Sequence, residues 1–366
     1  MIAENVIGIT FAATIWRRMA SLLDFNVATF AEELERLGEN PAHASKILRT
    51  FYAGEPIDRL PILKSLRLRL ATNYAARPAK VLTKHVSVDG TIKLLLGFES
   101  GGTTEAVLMP TFREGIAAGC VSSQIGCAMG CDFCASTKNG LERNLSAGEI
   151  VEQFLQLRAE ALASSRRLKT LVFMGMGEPL HNLDNVIPAI ERIAHPDMGA
   201  LGWRQITVST VGIVPGIDHL GDSGLNVNLA LSLHAPDDAT RAKIVPSNRR
   251  YPVADIISAA KRYDAQTGRV VNIEYCVLGG VNDSDEQADL LADLLDGFRA
   301  HVNLIPYNPI GVGITGVTYV RPSKSRVTTF LNLLRDRGVV AHVRVTRGDD
   351  VSAACGQLRQ QVLLPQ

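Results

Sequence analysis

Three things are scarce in this sequence: an excess of charge of either sign, aromatic side chains, and any apolar run long enough to cross a bilayer. The 38 Lys and Arg residues nearly cancel the 37 Asp and Glu, leaving a net charge of +1, so composition points to neither a nucleic acid nor a membrane. Any grip on RNA must come from a local patch, and the mild positive excess is N-terminal: 13 basic against 10 acidic residues up to position 100, and 25 against 27 after it. The apolar stretch from Val6 to Trp16 is too short to span a membrane. It has no basic flank before it and no small-residue cleavage site after it, so it reads as neither export signal nor anchor. No internal repeat or low-complexity tract is present. With 46% hydrophobic, 20% charged and 5% aromatic residues, the 366-residue chain has the composition of a globular protein rather than a disordered or fibrous one.

What is present is organised. From Phe30 to Tyr74 apolar residues recur at three- and four-residue spacing, broken at Gly-Glu-Asn-Pro and Gly-Glu-Pro, which predicts a small helical module. From Lys80 to Met109 the pattern turns to near-alternation, with Asp89-Gly90 placed as a hairpin turn. Beyond Thr111, Val- and Ile-rich runs alternate with helical stretches: AAGCVSSQ, LKTLVFMG, QITVSTVG, LNVNLALSLHA, RVVNIEYCVLG, HVNLIPYN and VVAHVRVT. Strand–helix repetition of this kind predicts an α/β fold, a full or partial (β/α) barrel of parallel strands whose reactive groups collect at the C-terminal strand ends. The expected division is 1–100, an accessory domain of helices plus a β-hairpin, and 101–366, the barrel core with its C-terminal segment.

Six cysteines without an export signal suit a reducing compartment, the cytoplasm, where clustered thiols serve metal binding or catalysis. Cys127, Cys131 and Cys134 are spaced four and three apart on a loop after the first barrel strand. Two centres suit such a loop. A structural zinc would need a fourth ligand elsewhere, whereas a 4Fe-4S cluster held by three thiolates keeps one iron open for another ligand.

CxxxCxxC after the first strand of a (β/α) barrel resembles the signature of radical S-adenosylmethionine (SAM) enzymes. The flanking blocks make the resemblance narrower. CVSSQIGCAMGCDFC, Arg143-Asn144-Leu145, MGMGEPL, LSLHAP, VPSNRRYP, EYCVLGGVNDS, NLIPYNP and TRGDDVSAACGQL resemble, in the same order over residues 100–358, the RNA adenine methyltransferases of the RlmN and Cfr family. The helical N-terminal region resembles that family's accessory domain more loosely.

The resemblance implies methylation of an adenine ring carbon in RNA: carbon 2 for the RlmN type, carbon 8 for the Cfr type. It implies a 4Fe-4S cluster on Cys127, Cys131 and Cys134, and two SAM molecules per turnover. Cys355 matches the cysteine that is methylated first, and Cys120 the cysteine that resolves a protein–RNA adduct by forming a transient disulfide. Glu105 matches the family's proton acceptor. Gly177 and Glu178, Ser209, Ser232, Leu233, His234 and Asn308 match the cosubstrate pocket, with the Glu178 carboxylate expected to face the methionine ammonium. The implied partners are 23S rRNA and, as a second substrate class, tRNA, together with an electron donor such as flavodoxin or ferredoxin; the implied state is a monomer away from membranes. Between carbon 2 and carbon 8 the shared blocks do not choose, and a zinc-bound, non-catalytic RNA-binding protein is the reading from another class.

Cys276, inside an apolar strand run, is expected to be a buried structural residue. Arg249, Arg250, Arg344 and Arg347 are candidate phosphate contacts, and Arg67, Arg69, Arg77, Lys80 and Lys84 candidate RNA contacts of the accessory module. Cys355 is expected on a mobile end. Two departures from the family stand out: the loop TFREGIAAG is longer, and Val211 replaces a serine. The first 18 residues match no family segment, which makes Met19 a candidate translation start.

Overall fold

The computed structural model describes residues 21–74 and 77–358. Val6–Trp16 and Met19 lie outside the described residues. Three helices come first: α1 (Val27–Arg36), α2 (Ala44–Tyr52) and α3 (Lys64–Asn73). Asn26 caps α1 by accepting the Thr29 N–H at 2.9 Å while Thr29 Oγ1 accepts the Asn26 N–H, a reciprocal cap that fixes where the helix begins. Phe30, Leu34, Ile47, Leu48, Phe51, Leu66 and Leu70 are buried in one core that is continuous with the rest of the chain.

An antiparallel meander follows, β1 (Ala79–Val86), β2 (Ile92–Phe98) and β3 (Thr103–Pro110), and Asp89-Gly90 sits in its first turn as the sequence predicts. The next strand, β4 (Ile116–Cys120), pairs antiparallel with β3 and parallel with β7 (Arg167–Phe173). One sheet therefore runs from the meander into the parallel strands, and the expected boundary near residue 100 falls in the turn between β2 and β3. Between β4 and β7 lie the short pair β5 (Gln124–Gly126) and β6 (Leu141–Asn144), then α4 (Ala147–Ala163).

The parallel strands β7, β8 (Ile206–Thr210), β9 (Asn228–Ser232), β10 (Val271–Val277), β11 (Ala300–Pro306) and β12 (Val340–Val343) lie in sequence order. Helices α5 (Leu183–Ala194), α6 (Val214–Asp222), α7 (Asp238–Ile244), α8 (Val253–Thr267), α9 (Asp285–Leu294) and α10 (Lys324–Asp336) connect them. Ladder pairing ends at β1 and β12 among the described residues, so the α/β barrel is partial rather than closed, as expected. Each Val- and Ile-rich run singled out in the sequence contributes one strand, AAGCVSSQ giving β4 and the other six β7–β12. Helices cover the outer face of the parallel strands, which is apolar, while the inner face carries polar residues such as Ser209, Ser232, Asn272 and Glu274. Among the described residues no helix is long and apolar enough to cross a membrane.

Candidate active site

The inward-facing residues at the C-terminal ends of the parallel strands meet the loop after β5 around one cavity. Its wall follows the two-residue period of the strands: Ser209 and Val211 from β8 and its end, Ser232 and His234 from β9, Glu274 and Cys276 from β10, Ile305 and Tyr307 from β11. Cys127, Cys131 and Cys134 line the same cavity.

The cysteine loop is held from several sides. The Cys127 N–H donates to Gly140 O (2.9 Å) and the Gly130 N–H to Thr137 Oγ1 (3.0 Å), while Gly130 takes a left-handed φ of 70°. Asp132 is fully buried and accepts from the Thr315 N–H, Thr315 Oγ1 and Tyr319 OH at 2.9, 2.6 and 2.8 Å. That carboxylate is a brace for the loop which spacing alone does not reveal.

Burial pushes the Cys127 thiol up to about 12, although the Met129 and Gly177 N–H groups that donate to it act the other way. Burial likewise raises Cys131 and Cys134; Cys127 and Cys131 also feel the charge of Cys134, and Cys134 that of Cys355. Arg241, fully buried behind the cavity, donates from Nε to Leu233 O at 2.8 Å and faces Cys131. Its positive charge offsets thiolates gathered in an apolar setting. Among the described residues no three His, Cys, Asp or Glu side chains stand close enough to hold a single metal ion. Three thiols on one cavity wall, without convergence on a point, suit a cluster whose irons each take one sulfur.

Gly177 has φ +98°, and a Cβ there would stand 2.5 Å from Gln124 Cβ, so only glycine fits between β7 and the cysteine loop. Glu178 lines the cavity, but its carboxylate is engaged: Oε1 accepts the Leu180 N–H (3.0 Å) and Oε2 the Val211 N–H (2.9 Å). Burial raises it to about 7 against these hydrogen bonds. Glu178 thus ties the ends of β7 and β8 together with one side of each oxygen. Val211, the departure from serine, contributes only its backbone N–H to that tie.

Ser209 Oγ and Ser232 Oγ stand 3.2 Å apart on the wall. His234 has φ 61°, and its Nδ1 accepts the Cys276 N–H at 2.9 Å, so Nε2 carries the proton. Burial, and then the Arg241 charge, lower its pKa to about 3, so it is a neutral imidazole. Leu233 is not on the wall; its side chain is in the core and its carbonyl holds Arg241.

A second cavity adjoins the first and shares Cys134, Ser136, Met174, Gly175, Ile305, Cys355 and Gly356 with it. Cys120 and Cys355 both line it, together with Asn308, Arg344, Arg347 and Phe112. Burial raises the Cys120 thiol to about 12 and raises Cys355 as well, and the Arg344 charge opposes both shifts. All six cysteines are free thiols here, so the expected Cys120–Cys355 disulfide is absent from this state. Cys355 opens to the cavity, yet its segment is tied down. Ala135 N–H donates to Gly356 O (2.7 Å), Ser136 Oγ to Leu358 O (2.7 Å) and Asn308 Nδ2 to Cys355 O (3.2 Å). Asn308 thus meets the tail from the second cavity.

Glu105 lines neither cavity. It is buried on β3 in an ion pair with Lys93 Nζ at 3.1 Å, and the same ammonium donates to Ser352 O at 3.2 Å. Cys276 does line the cluster cavity, beside Cys134 and Cys355, although its position in an apolar strand suggested only packing. Glu274, not singled out in the sequence, accepts from Asn303 Nδ2 (2.9 Å) and pairs with Arg344 (3.5 Å). Arg344, its side chain 36% exposed, thus pairs with Glu274 while lining the second cavity. Arg69 pairs with Glu39 inside the helical module, while Arg77 and Lys84 pair with Glu152 and Glu160 of α4.

Comparison with known proteins agrees with this geometry. Residues 121–292 match the family model of the radical SAM superfamily. The chain is 52% identical over 342 residues, 93% of its length and 96% of the relative's, to a protein of Opitutus terrae named "Probable dual-specificity RNA methyltransferase RlmN 1". It belongs to the RlmN family of radical SAM RNA methyltransferases. A second RlmN relative, from Bacillus subtilis, is 39% identical over 342 residues, covering 93% of each chain. The crystal structure of a radical SAM methyltransferase from Sphaerobacter thermophilus superposes with a TM-score of 0.89 at 42% identity, covering 93% of this chain and all of that one. RlmN membership makes this chain a radical SAM RNA methyltransferase and implies a 4Fe-4S cluster and SAM in the cavity described.

Proposed function

We propose that the enzyme methylates carbon 2 of an adenine in 23S rRNA, and in tRNA, through a methyl group carried on Cys355. One observation supports this above the rest: Cys120 and Cys355 share a cavity that opens onto the one lined by the three cluster thiols. With a 4Fe-4S cluster on Cys127, Cys131 and Cys134 and SAM bound in the first cavity, reduction supplies a 5′-deoxyadenosyl radical. The wall residues have the chemistry to hold SAM: Ser209 and Ser232 present hydroxyls, His234 a neutral ring N–H, and Glu178 the remaining lone pairs of its carboxylate for the ammonium.

In this reading Cys355 takes a methyl from a first SAM and loses a hydrogen atom from it to the radical derived from a second. The resulting carbon radical adds to the adenine ring, which joins RNA to protein through Cys355. Loss of the ring proton, with the Glu105 carboxylate as its acceptor, and of one electron to the electron-transfer partner leaves a closed-shell adduct. The Cys120 thiolate then attacks the Cys355 sulfur, the S–CH2 bond breaks with its electron pair left on carbon, and that carbon takes a proton to become the methyl group as the disulfide forms. A ring carbon is a poor nucleophile, and this route needs no direct displacement on the sulfonium methyl. The target base must leave its stack to enter the cavity, at a cost of a few kcal/mol. The helices and hairpin of residues 1–100 serve as the RNA-recognition unit, flavodoxin or ferredoxin supplies electrons, and the enzyme acts as a cytoplasmic monomer.

The test is anaerobic reconstitution with iron and sulfide, followed by SAM, reductant and a ribosomal RNA fragment, with nucleoside mass spectrometry against both methyladenosine standards. The expected product is 2-methyladenosine, dependent on both Cys355 and Cys120. A product of 8-methyladenosine moves the enzyme to the Cfr type, and a protein that takes zinc and never iron removes the mechanism.

A further inference from the structure

The turn between β3 and β4 presents an aromatic ring at the opening of the second cavity. Phe112 is 88% exposed; the other aromatic among the exposed large hydrophobic side chains described, Trp203, is 36% exposed. Exposure on this scale would be unremarked on an arbitrary surface. Phe112, however, is part of the rim of the cavity that ends on Cys120 and Cys355.

The ring stands on a defined turn. The Thr111 N–H donates to Ile116 O (3.2 Å), Thr111 Oγ1 accepts the Arg113 N–H (3.2 Å), and Gly115 takes the left-handed φ of 71° that closes the turn. From the opposite side the Arg347 guanidinium lies over the ring, 5.6 Å from its centroid. Arg347 makes no ion pair among the described residues, and the next residue, Gly348, donates its N–H to Asp89 Oδ2 at 3.1 Å, which anchors the segment to the β1–β2 turn. Ring and cation thus come from two separately fixed segments on either side of the same opening.

We infer that Phe112 and Arg347 form a stacking subsite for a nucleobase adjacent to the target adenine. The inference rests on the RNA reading above. A phenyl face offers a platform to any base, and a guanidinium plane can stack on that base or move to its phosphate. The reacting adenine must lie deep, between the two thiols, so a ring at the rim meets a neighbour in the strand. Holding that neighbour outside would keep the extruded strand from closing back into its stem.

The experiment uses the reconstituted full-length enzyme and an RNA hairpin carrying 2-aminopurine next to the target adenine, with wild type compared to Phe112→Leu, Phe112→Trp and Arg347→Gln. Wild type and Phe112→Trp should quench the 2-aminopurine on binding. Phe112→Leu should lose the quench and raise KM for RNA by roughly tenfold, within the range of one base–aromatic stack. SAM affinity and iron content should be the same in all four proteins, because the ring is on the surface. Methylation by Phe112→Leu with unchanged KM and quench, while wild type is active, overturns this inference alone. Absence of any RNA methylation by wild type overturns the functional reading and this inference with it.

Discussion

The backbone N–H of Ala135, one residue past the last cluster cysteine, donates to the carbonyl of Gly356, one residue past Cys355, at 2.7 Å. The loop proposed to hold the cluster and the segment proposed to carry the methyl group are therefore directly joined. Ser136 repeats the tie to Leu358 O at 2.7 Å. The Cys355 segment, expected to be a mobile end, is held in this state by contacts that depend on the cluster loop.

Ser136→Ala removes one of these ties and leaves the cysteines in place. One hydrogen bond contributes about 1 kcal/mol, so the population of the released tail should rise about fivefold. Limited proteolysis beyond Cys355 should accelerate by that factor at unchanged iron content; an unchanged rate would show the tie to be idle.

Glu105→Ala leaves Lys93 unpaired in the interior and should cost about 3–5 kcal/mol of stability, measured by denaturant unfolding. The pair Lys93→Met with Glu105→Leu should recover most of that loss, because it removes both buried charges. If Glu105 also accepts the ring proton, the double variant folds and forms no methyladenosine. An active double variant would assign Glu105 to structure alone.

Gly177→Ala forces a Cβ against Gln124 and a non-glycine residue to φ +98°. A loss of at least about 1–3 kcal/mol is expected from the strain. SAM binding by equilibrium dialysis should fall with it, since residue 177 lies on the cavity wall beside Glu178. A variant as stable as wild type would mean that the backbone can adopt another path there.

His234 links stability to acid. Its folded pKa is about 3 against 6.5 for the free side chain, so the unfolded chain binds the extra proton between these values. Its contribution is complete above pH 6.5 and is lost as pH falls toward 3, by up to about 1.4 kcal/mol per pH unit. His234→Asn keeps an acceptor for the Cys276 N–H and tolerates the left-handed backbone, so it should fold with a shallower acid slope. An unchanged slope would place the acid sensitivity elsewhere.

Much of this was legible in the sequence because it rests on period and spacing. Val-rich runs gave the parallel strands, Asp89-Gly90 the hairpin, and three cysteines on a short loop one wall of the cavity. What period cannot show is which face of a strand buried on both sides looks inward. In β10 Asn272, Glu274 and Cys276 share one face and Val271, Ile273, Tyr275 and Val277 the other, but period alone does not say that the first of these faces lines a cavity. Long-range pairing was equally invisible. No motif marks Glu274 as the partner of Arg344 or Lys93 as the partner of Glu105. Arg241, alone in a short helix, carries no motif that announces a charge behind Cys131.

The chemistry assigned to Cys120 and Cys355 meets its most direct test in the Cys120→Ala variant, reconstituted anaerobically and incubated with SAM, reductant and the RNA fragment. With no thiol to release the joined state, a protein–RNA adduct should accumulate on a denaturing gel and map by mass spectrometry to Cys355. Free methylated RNA at the wild-type rate, with no adduct, would contradict the account.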